Sequence, residues 1–379
     1  MKIFRTQQDR DWSIVLAGGD GERLRPFIQR WLGQPKPKQY CTFTGTRSML
    51  QHTLDRVDRL TAPARRVLVC ARAHQREVLM QLHGRPPGTL ILQPANRGTA
   101  AGIFLAVAYI RARDPEATVA IYPSDHFIYP ENRFLEVLQR AVWGAENLTD
   151  RLVLLGASPN GPELEYGWVL PGCHLGWTMG RGMRAVQAFH EKPDIAKAYE
   201  AWAAGALWNT MIMVAKAETI WTLGWRSLPD MMPLYERIVE AIGTPQRRAV
   251  MDDVYQALPT RDFSSDVLQK APDQLAVTEL CDVTWSDWGR AERIVETLRQ
   301  VGKHPAFPLE SVTAGLHVGT DARELFREAA HVSLQVDYAQ TPPRLRRRPA
   351  TTCPKYLVGQ RSPTGGLTNT LLKHHLSLG

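Results

Sequence analysis

The sequence predicts an α/β protein with a Rossmann-like three-layer fold, in which a central mixed, mostly parallel sheet carries helices on both faces. Short apolar runs alternate with amphipathic stretches of helix length over most of the chain, and this alternation is typical of parallel sheets. The composition, with 44% hydrophobic and 22% charged residues among 379, is that of a globular protein able to bury a large core.

The predicted elements follow one another in a regular order through the first half of the chain. Buried strands are predicted at 13–17, 67–70, 90–92, 119–122 and 152–155, with helices at 48–60, 74–82, 99–113 and 132–145. The second half is less regular, with strands predicted at 185–189, 211–215 and 275–278 and helices at 194–205, 233–242 and 290–301. Because ligands of such sheets bind at the carboxyl ends of strands, residues that follow a strand are the first candidates for a site.

The chain divides into one large domain, residues 1–302, and a weakly ordered basic C-terminal extension, residues 303–379. The segment from Thr341 to Gly379 carries seven Lys and Arg residues and no acid, so subtracting 7 from the formal net charge of +8 leaves about +1 for the rest. The basic character therefore belongs to the extension, and a nucleic-acid partner is not favoured. A binding arm in the extension stays open as an alternative to a solvated tail.

Other features limit the compartment and the chemistry. The first twelve residues mix charges without an apolar run behind them, so they predict neither a secretory signal nor a membrane anchor, and a cytoplasmic protein without a membrane partner is expected. The five cysteines are scattered with no close pair, which argues against zinc and redox motifs. Homo-oligomerisation is left open.

The most informative segment directly follows the first predicted strand and runs from Leu16 to Pro26. Gly18, Gly19 and Gly21 allow the backbone to approach a phosphate closely, and Arg23 adds a planar, positively charged guanidinium that can bind phosphate oxygens. The spacing is neither the dinucleotide-binding G-x-G-x-x-G nor a P-loop. Taken alone, the glycines are as well explained by a tight connection between strand and helix.

Further polar residues stand where they could join this loop. Lys36 and Lys38 alternate with prolines downstream, although either could be an ordinary surface lysine. Asp125 ends the apolar strand at 119–122, a position suited to a hard cation and equally to the capping of a turn. Asp287 stands in a second acidic segment, WSDWG.

Together these segments resemble the sugar nucleotidylyltransferase family, whose members share G-G-x-G-x-R-L-x-P followed by P-K-x. PSDH, FHEKP, WNT and WSDWG follow in the family's order between Trp12 and Arg299. They lean towards its mannose-1-phosphate guanylyltransferase branch, as does FSSDVLQK at 263–270, which resembles the S-x-D-x-x-x-x-K stretch of that branch. The resemblance implies the nucleotide-diphospho-sugar transferase type of fold and transfer of a nucleoside monophosphate from an NTP to a sugar 1-phosphate, with release of pyrophosphate.

The resemblance also assigns roles. Catalysis falls to Arg23, Lys38 and Asp125, and one Mg2+ ion is held by Asp125 and Asp287, with His126 orienting the loop. Nucleotide binding falls to the first loop and to a strand end with the helix after it, through Leu16, Ala17, Gly18, Gly19, Gly21, Gln93, Gly98 and Thr99, of which Thr99 is also a plausible helix cap. Sugar-phosphate binding falls to Gly167, Glu191, Lys192 and Asn209.

Departures from the family pattern bear on substrate identity. Asn96-Arg97-Gly98-Thr99 stands where the guanylyltransferase branch has R-N-T, Met211 replaces a glycine after WNT, and Gln93 replaces a common Glu. GTP and mannose 1-phosphate are the expected substrates. Glucose 1-phosphate with UTP or dTTP, and a catalytically silent sensor of sugar nucleotides, are the alternatives.

Overall fold

A computed structural model of the protein describes residues 11–178 and 181–313. Its strands are β1 (Asp11–Ala17), β2 (Arg66–Ala71), β3 (Thr89–Gln93), β4 (Thr118–Pro123), β5 (Phe127–Tyr129), β6 (Leu152–Ala157), β7 (Gly167–Thr178), β8 (Arg181–Glu191), β9 (Leu207–Lys216), β10 (Leu275–Glu279) and β11 (Thr284–Ser286). Its helices are α1 (Arg25–Leu32), α2 (Met49–Val57), α3 (Gln75–Leu82), α4 (Gly98–Arg111), α5 (Glu131–Asn147), α6 (Ile195–Ala203), α7 (Ala217–Ser227), α8 (Met232–Ala241), α9 (Arg247–Ala257), α10 (Ala291–Gln300) and α11 (Glu310–Thr313).

Nine strands form the central sheet in the order β3-β2-β1-β4-β9-β6-β10-β8-β7, with a further pairing of β9 to β7. The α/β class and the mixed sheet are as predicted. The sheet is not mostly parallel, however: in the described part of the chain, four of its nine pairings are parallel and five antiparallel. The reason is that β9 runs against both of its flanking strands, β4 and β6, and that β7 and β8 pair as antiparallel neighbours.

Apolar side chains cover both faces of this sheet. Neighbouring residues of one strand, such as Ile14 and Val15, point into different hydrophobic cores because successive side chains alternate across a strand. One core includes nearly all of α4, and the other takes the apolar faces of α2 and α5. Strands buried on both faces read as continuous apolar runs, which is why β1, β2 and β4 were recognisable from the sequence.

A third apolar cluster lies beside the sheet and includes residues from the predicted extension. Phe27 of α1, Phe43 and Trp288 are buried there, and Phe307 packs edge-on against Phe27 with ring centroids 5.1 Å apart. Residues 303–313 thus continue to contact the domain beyond the predicted boundary at residue 302. That boundary stays a prediction, and residues 314–379, including the basic segment, lie outside the described residues.

Several elements were missed in the sequence. They are α1, α7, α9, the short helix α11, the long strand β7 and the two short strands β5 and β11, which pair antiparallel as a ribbon of their own. Among the helices of residues 11–178 and 181–313, none has both the length and the apolar character needed to cross a membrane.

Candidate functional site

The predicted site residues converge on one edge of the sheet. Strands β1, β2, β3 and β4 are mutually parallel, so the residues that follow them meet at this edge, and β9 begins there because it runs antiparallel to β4. This arrangement brings together Gly18, Gln93, Asp125 and Asn209, which come from four separate strand ends. A backbone hydrogen bond of 3.0 Å from Ser124 N to Leu16 O links the first loop to the segment that carries Asp125.

Two glycines of the first loop are required by close packing and one is not. A Cβ atom on Gly18 would lie 2.9 Å from Gln93 Oε1, and one on Gly21, whose φ is +66°, would lie 3.0 Å from Lys38 N. A Cβ atom on Gly19 would meet no atom within 4 Å among the described residues. Packing therefore explains Gly18 and Gly21, whereas Gly19 is open and leaves its backbone accessible to a ligand.

Two residues that were not singled out in the sequence hold the carbonyls of this loop. Gln39 Nε2 donates hydrogen bonds to Ala17 O at 3.1 Å and to Gly19 O at 2.7 Å. Tyr40 donates from its hydroxyl to Ala17 O at 3.3 Å. These hydrogen bonds fix the backbone of the first loop at Ala17 and Gly19.

Lys38 connects two distant parts of the chain. Its side chain is 6% exposed, and its Nζ lies 2.8 Å from Asp125 Oδ2 and donates to the backbone carbonyl of Asp287. Lys36, in contrast, pairs with Glu77 at 3.3 Å and is the more exposed of the two lysines. The structure thus separates a buried site lysine from a peripheral one.

The surroundings of the Asp125 carboxylate favour its ionised form. Burial is the largest single influence and acts to raise its pKa, but the charge and hydrogen bond of Lys38 together with the nearby His126 hold the pKa below its ordinary value. His126 lies behind it, with Nε2 3.7 Å from Asp125 Oδ1 and Nδ1 accepting from Trp285 Nε1 at 3.3 Å. Burial lowers the pKa of His126, so this imidazole is neutral at ordinary pH.

Asp287 is buried and more heavily bonded than Asp125. Its Oδ1 accepts from the Tyr166 hydroxyl at 2.6 Å, Arg293 Nη1 at 2.7 Å and Gly289 N at 3.0 Å, while Oδ2 accepts from Arg23 Nη2 at 2.9 Å. Burial acts to raise the pKa of Asp287, but the hydrogen bond from Tyr166 and the surrounding positive charges hold it well below the ordinary value.

Gly289 is explained only by the folded site. A Cβ atom there would lie 2.6 Å from Arg23 Nη1 and 2.8 Å from Asp287 Oδ2. The glycine of WSDWG therefore makes room for the pairing of Arg23 with Asp287. Trp288, which lies between Asp287 and Gly289 in the sequence, has φ +47° and is fully buried. Its ring stacks on Phe127 with ring centroids 4.6 Å apart.

Arg293 and Glu163 were missed by sequence reasoning. Arg293 lies in the first turns of α10, reaches Asp287, donates to the Tyr166 hydroxyl and pairs with Glu163. Glu163 stands 130 residues earlier, and no spacing rule connects it to Arg293. The only sequence signal was proximity of Arg293 to WSDWG and of Glu163 to Tyr166.

The predicted nucleotide-side residues lie around Gln93. Gln93 is 7% exposed and its Nε2 donates to the Tyr255 hydroxyl at 2.9 Å. Gly98 has φ +83°, and a Cβ atom there would lie 2.1 Å from Arg261 O. The expectation that Thr99 caps α4 is wrong: Arg97 is the cap residue, and the Thr99 hydroxyl instead accepts from Phe263 N at 2.7 Å and contacts Asp262 at 2.8 Å. The returning segment at 261–263 has drawn this hydroxyl away from the helix end.

The predicted sugar-side residues lie together on β7, β8 and β9. A Cβ atom on Gly167 would be 2.5 Å from Glu191 Oε2 and 3.2 Å from Asn209 Cβ. Gly167 therefore lies directly against both Glu191 and Asn209. Burial raises the pKa of Glu191 to about 7, and its Oε2 is buried without a hydrogen-bond partner among the described residues. The Lys192 side chain is 65% exposed, with Nζ 3.9 Å from Glu191 Oε1.

Met211 adjoins this group in a strained conformation. Its φ is +56°, which L-residues with side chains rarely adopt, and its N–H donates to Asn209 Oδ1 at 3.1 Å. Ser264 donates to Met211 Sδ at 3.0 Å, and Asn209 Nδ2 donates to Ser264 Oγ at 3.4 Å. Tyr166 joins the two sides of the site: its hydroxyl reaches Asp287, and its carbonyl accepts from Lys192 N at 3.2 Å.

Comparison with known proteins identifies relatives of this chain. The chain is 29% identical over 302 residues to the xanthan biosynthesis protein XanB of Xanthomonas campestris (76% of this chain, 60% of that protein). It is 27% identical over 282 residues to a mannose-1-phosphate guanylyltransferase of Escherichia coli (73% and 59%). The chain thus spans about 60% of the length of these relatives.

Two solved structures are similar to this chain. A protein of Thermus thermophilus, described as a mannose-1-phosphate geranyltransferase, superposes with a TM-score of 0.64 at 27% identity, covering 76% of this chain and 79% of its own. A mannose-6-phosphate isomerase of Helicobacter pylori, at 20% identity and a TM-score of 0.58 over 73% of this chain and 99% of its own, shares the fold. The model of the nucleotidyl transferase family matches residues 12–304, and the chain therefore belongs to that family.

Proposed function

We propose that this protein transfers a nucleoside monophosphate from an NTP, GTP being the expected one, to a sugar 1-phosphate, mannose 1-phosphate being the expected one, with release of pyrophosphate. The observation that carries the proposal is the convergence around Lys38 and Tyr166. The first loop, two carboxylates and two cations form a phosphate end (Gly18, Lys38, Asp125, Asp287 and Arg23). Tyr166 joins it to a sugar end (Gly167, Glu191, Lys192 and Asn209).

The proposed reaction is direct in-line displacement. An oxygen of the sugar phosphate forms a bond to the α-phosphorus, the bond from that phosphorus to the bridging oxygen breaks, and pyrophosphate leaves with the electron pair. Backbone N–H groups beside Gly19 would hold phosphate oxygens, and Arg23 and Lys38 would neutralise the charge that develops. Lys192 would hold the sugar phosphate. Glu191 would accept a hydrogen bond from a sugar hydroxyl, and Asn209 would donate one. Gln93, Gly98 and Thr99 would line the base.

The residues present fit a single Mg2+ ion at the phosphate end. Hard cations prefer carboxylate oxygens, and magnesium commonly uses one or two of them and completes its shell with phosphates and water. Both Asp125 and Asp287 have a pKa below the ordinary value, and Asp125 Oδ1 and Asp287 Oδ2 are the less heavily bonded oxygens. Within the described residues no cluster of three such side chains offers an all-protein metal cage, which suits a cation that substrate phosphates help to hold. Bound there, the metal would supply Lewis-acid neutralisation of the α-phosphate.

The names and the fold of the relatives support this proposal. XanB and the guanylyltransferases belong to sugar-nucleotide or polysaccharide biosynthesis by their names, and the fold suits the Rossmann-like three-layer type of nucleotide-diphospho-sugar transferases. Met211 and Gln93 are the positions through which another sugar or base would be selected.

The decisive experiment is pyrophosphate release by the purified protein with Mg2+, each NTP being tested against mannose, glucose and N-acetylglucosamine 1-phosphate. Strong turnover with GTP and mannose 1-phosphate alone is expected. Strong turnover with another pair would keep the reaction class and correct the substrates. Saturable nucleotide binding without turnover for any pair would overturn the proposal in favour of a silent sensor.

A further inference from the structure

The two oxygens of the Asp287 carboxylate have very different surroundings. Oδ1 accepts three hydrogen bonds, from Tyr166, Arg293 and Gly289, at 2.6 to 3.0 Å. Oδ2 accepts one, from Arg23 at 2.9 Å. A carboxylate with one saturated and one lightly bonded oxygen presents a single direction to a cation.

The two arginines on this carboxylate also differ in how firmly they are held. The side chain of Arg23 is 53% exposed, and besides Asp287 it pairs with Glu165 at 3.2 Å. The side chain of Arg293 is 14% exposed, its second nitrogen pairs with Glu163, and its guanidinium carbon lies 5.0 Å from the centre of the Tyr166 ring. Arg23 can therefore leave at modest cost, whereas Arg293 is fixed by contacts to Glu163 and Tyr166 of the loop before β7.

We infer that Arg293 is a positioning residue for the metal: it holds Asp287 Oδ1, together with Tyr166, so that Oδ2 is turned towards the cation and the triphosphate. This inference rests on the proposed function, since it concerns the same site. Arg293 would act on the metal indirectly, through the carboxylate of Asp287 that it holds.

The arrangement also lets Arg23 change partners. If a cation were bound at Oδ2, Arg23 would be free to turn towards the phosphates, and Asp287 would keep the positive charge of Arg293 beside Oδ1. Without Arg293, Oδ1 would keep only the neutral donors of Tyr166 and Gly289, and the carboxylate would be held less firmly in its orientation. A lysine cannot substitute fully, because one ammonium lacks the planar fork that here holds Asp287 and Glu163 at once.

The test uses Mn2+ as a metal probe, with free Mn2+ measured by electron paramagnetic resonance during titration of the full chain. Loss of a side chain that orients a metal ligand commonly weakens metal binding by about 10- to 100-fold, and R293M is expected to fall in that range. R293K is expected to weaken Mn2+ binding about 10-fold. In the activity assay the Mg2+ concentration for half-maximal rate should rise by similar factors, while KM for the sugar 1-phosphate changes less than about twofold.

Arg290→Met is the matched control. Arg290 also pairs with Glu163, at 3.3 Å, and it precedes the same helix, but it makes no contact with Asp287 and is 57% exposed. It is expected to leave Mn2+ affinity within about twofold of the unmodified protein. If R293M does not fold, as urea unfolding would show, R293K carries the test.

The outcomes separate this inference from the function beneath it. Mn2+ binding by folded R293M or R293K equal to that of the unmodified protein would overturn the role of Arg293 and leave the proposed function standing. Absence of Mn2+ binding by the unmodified protein would overturn both the metal assignment and this inference, whereas pyrophosphate release tests the reaction separately. An equal loss in R290M would show a general effect of charge and also overturn the inference.

Discussion

The two ends of the site differ in how their charges are paired. At the phosphate end, Lys38 and Arg23 each lie within 3 Å of a carboxylate oxygen. At the sugar end, the buried Oε2 of Glu191 has no hydrogen-bond donor among the described residues. The backbone differs as well: Lys192 and Met211 of the sugar end have φ of +43° and +56°. The phosphate end is thus neutralised before any ligand arrives, and the sugar end holds polarity and strain that a ligand would relieve. Under the proposed function this difference assigns specificity to the sugar end: the balanced charges of the phosphate end would suit any triphosphate, while the free Oε2 of Glu191 would select a sugar whose hydroxyl can donate to it.

The largest effect is expected from removing a carboxylate of the phosphate end. Asp125→Ala leaves the Lys38 ammonium without its anion and removes one of the two proposed metal ligands, so kcat for pyrophosphate release should fall by about 10²–10³. Asp253→Ala, at an exposed acid of α9 paired with Arg237, is the control and should keep full activity. Nearly full activity of Asp125→Ala would remove the metal and the charge balance from the explanation.

The second largest effect is expected from filling the space at Gly289, which tests whether close packing at the phosphate end matters. Gly289→Ala places a methyl group 2.6 Å from Arg23 Nη1 and 2.8 Å from Asp287 Oδ2, so one of these groups must move. A displacement of this size at a catalytic centre can cost about 10²-fold in kcat/KM. Gly161→Ala is the matched control, because a Cβ atom there meets nothing within 4 Å in the described structure. Unchanged kinetics for Gly289→Ala would show that the observed pairing of Arg23 and Asp287 is not needed.

At the sugar end, the raised pKa of Glu191 predicts a pH-dependent stability. Burial, with Asp262 adding to it, raises this pKa from 4.5 to about 7 against the opposing effects of Lys192 and Ser264. A raised folded-state pKa contributes stability that is present below pH 4.5 and is lost as pH rises through about 7. After a discount for its residual exposure, the loss is on the order of 2 kcal/mol.

The measurement is urea unfolding of the unmodified protein and of Glu191→Gln at pH 5 and pH 8.5. The other titrating groups cancel in the difference, so Glu191→Gln should gain relative stability at the higher pH. A difference that does not change with pH would mean that Glu191 is already paired, and the contrast between the two ends would fail.

The smallest effect is expected at Lys192. Its side chain is mostly exposed and its nearest anion is Glu191 at 3.9 Å, so its charge is available to a ligand. Lys192→Met should raise KM for the sugar 1-phosphate about tenfold, the worth of one charged hydrogen bond, and leave KM for the NTP unchanged. Lys36→Met is the matched control and should change neither constant. A rise in KM for the NTP instead would assign Lys192 to the phosphate end.

The sequence carried more information about the phosphate end than about its supports. Strands buried on both faces are continuous apolar runs, so β1 and β4 were recognised, and with them the positions of Gly18 and Asp125 at their ends. The support of Asp287 comes from Glu163, Tyr166 and Arg293, which meet only after the chain has folded across 120 to 130 residues. No local pattern encodes such a meeting, and Arg293 reads simply as a polar position of an amphipathic helix.

Elements were missed where local chemistry interrupts periodicity. Pro171, Gly172 and Gly176 break the alternation of β7, and the pairing of β7 with β8 accommodates them through shifts of register. The Thr99 cap was mistaken because a suitable side chain at a helix start is a local signal, whereas the contact of Thr99 with Asp262 and Phe263 is a long-range one. Tertiary contacts decided both cases.

The packing of Phe307 bears on how the end of the domain should be understood. Its ring closes the aromatic cluster over Phe27 and Phe43, and Phe43 in turn meets Trp288, the neighbour of Asp287, with ring centroids 5.6 Å apart. Ala306 N also bonds to Phe43 O at 2.8 Å. A chain ending at residue 302 would lose no group that is proposed to touch a ligand, yet it would uncover the apolar surface against which the Asp287 segment is braced. Under the proposed function, Phe307 would therefore serve the reaction at a distance, by supporting from behind the segment that carries Asp287.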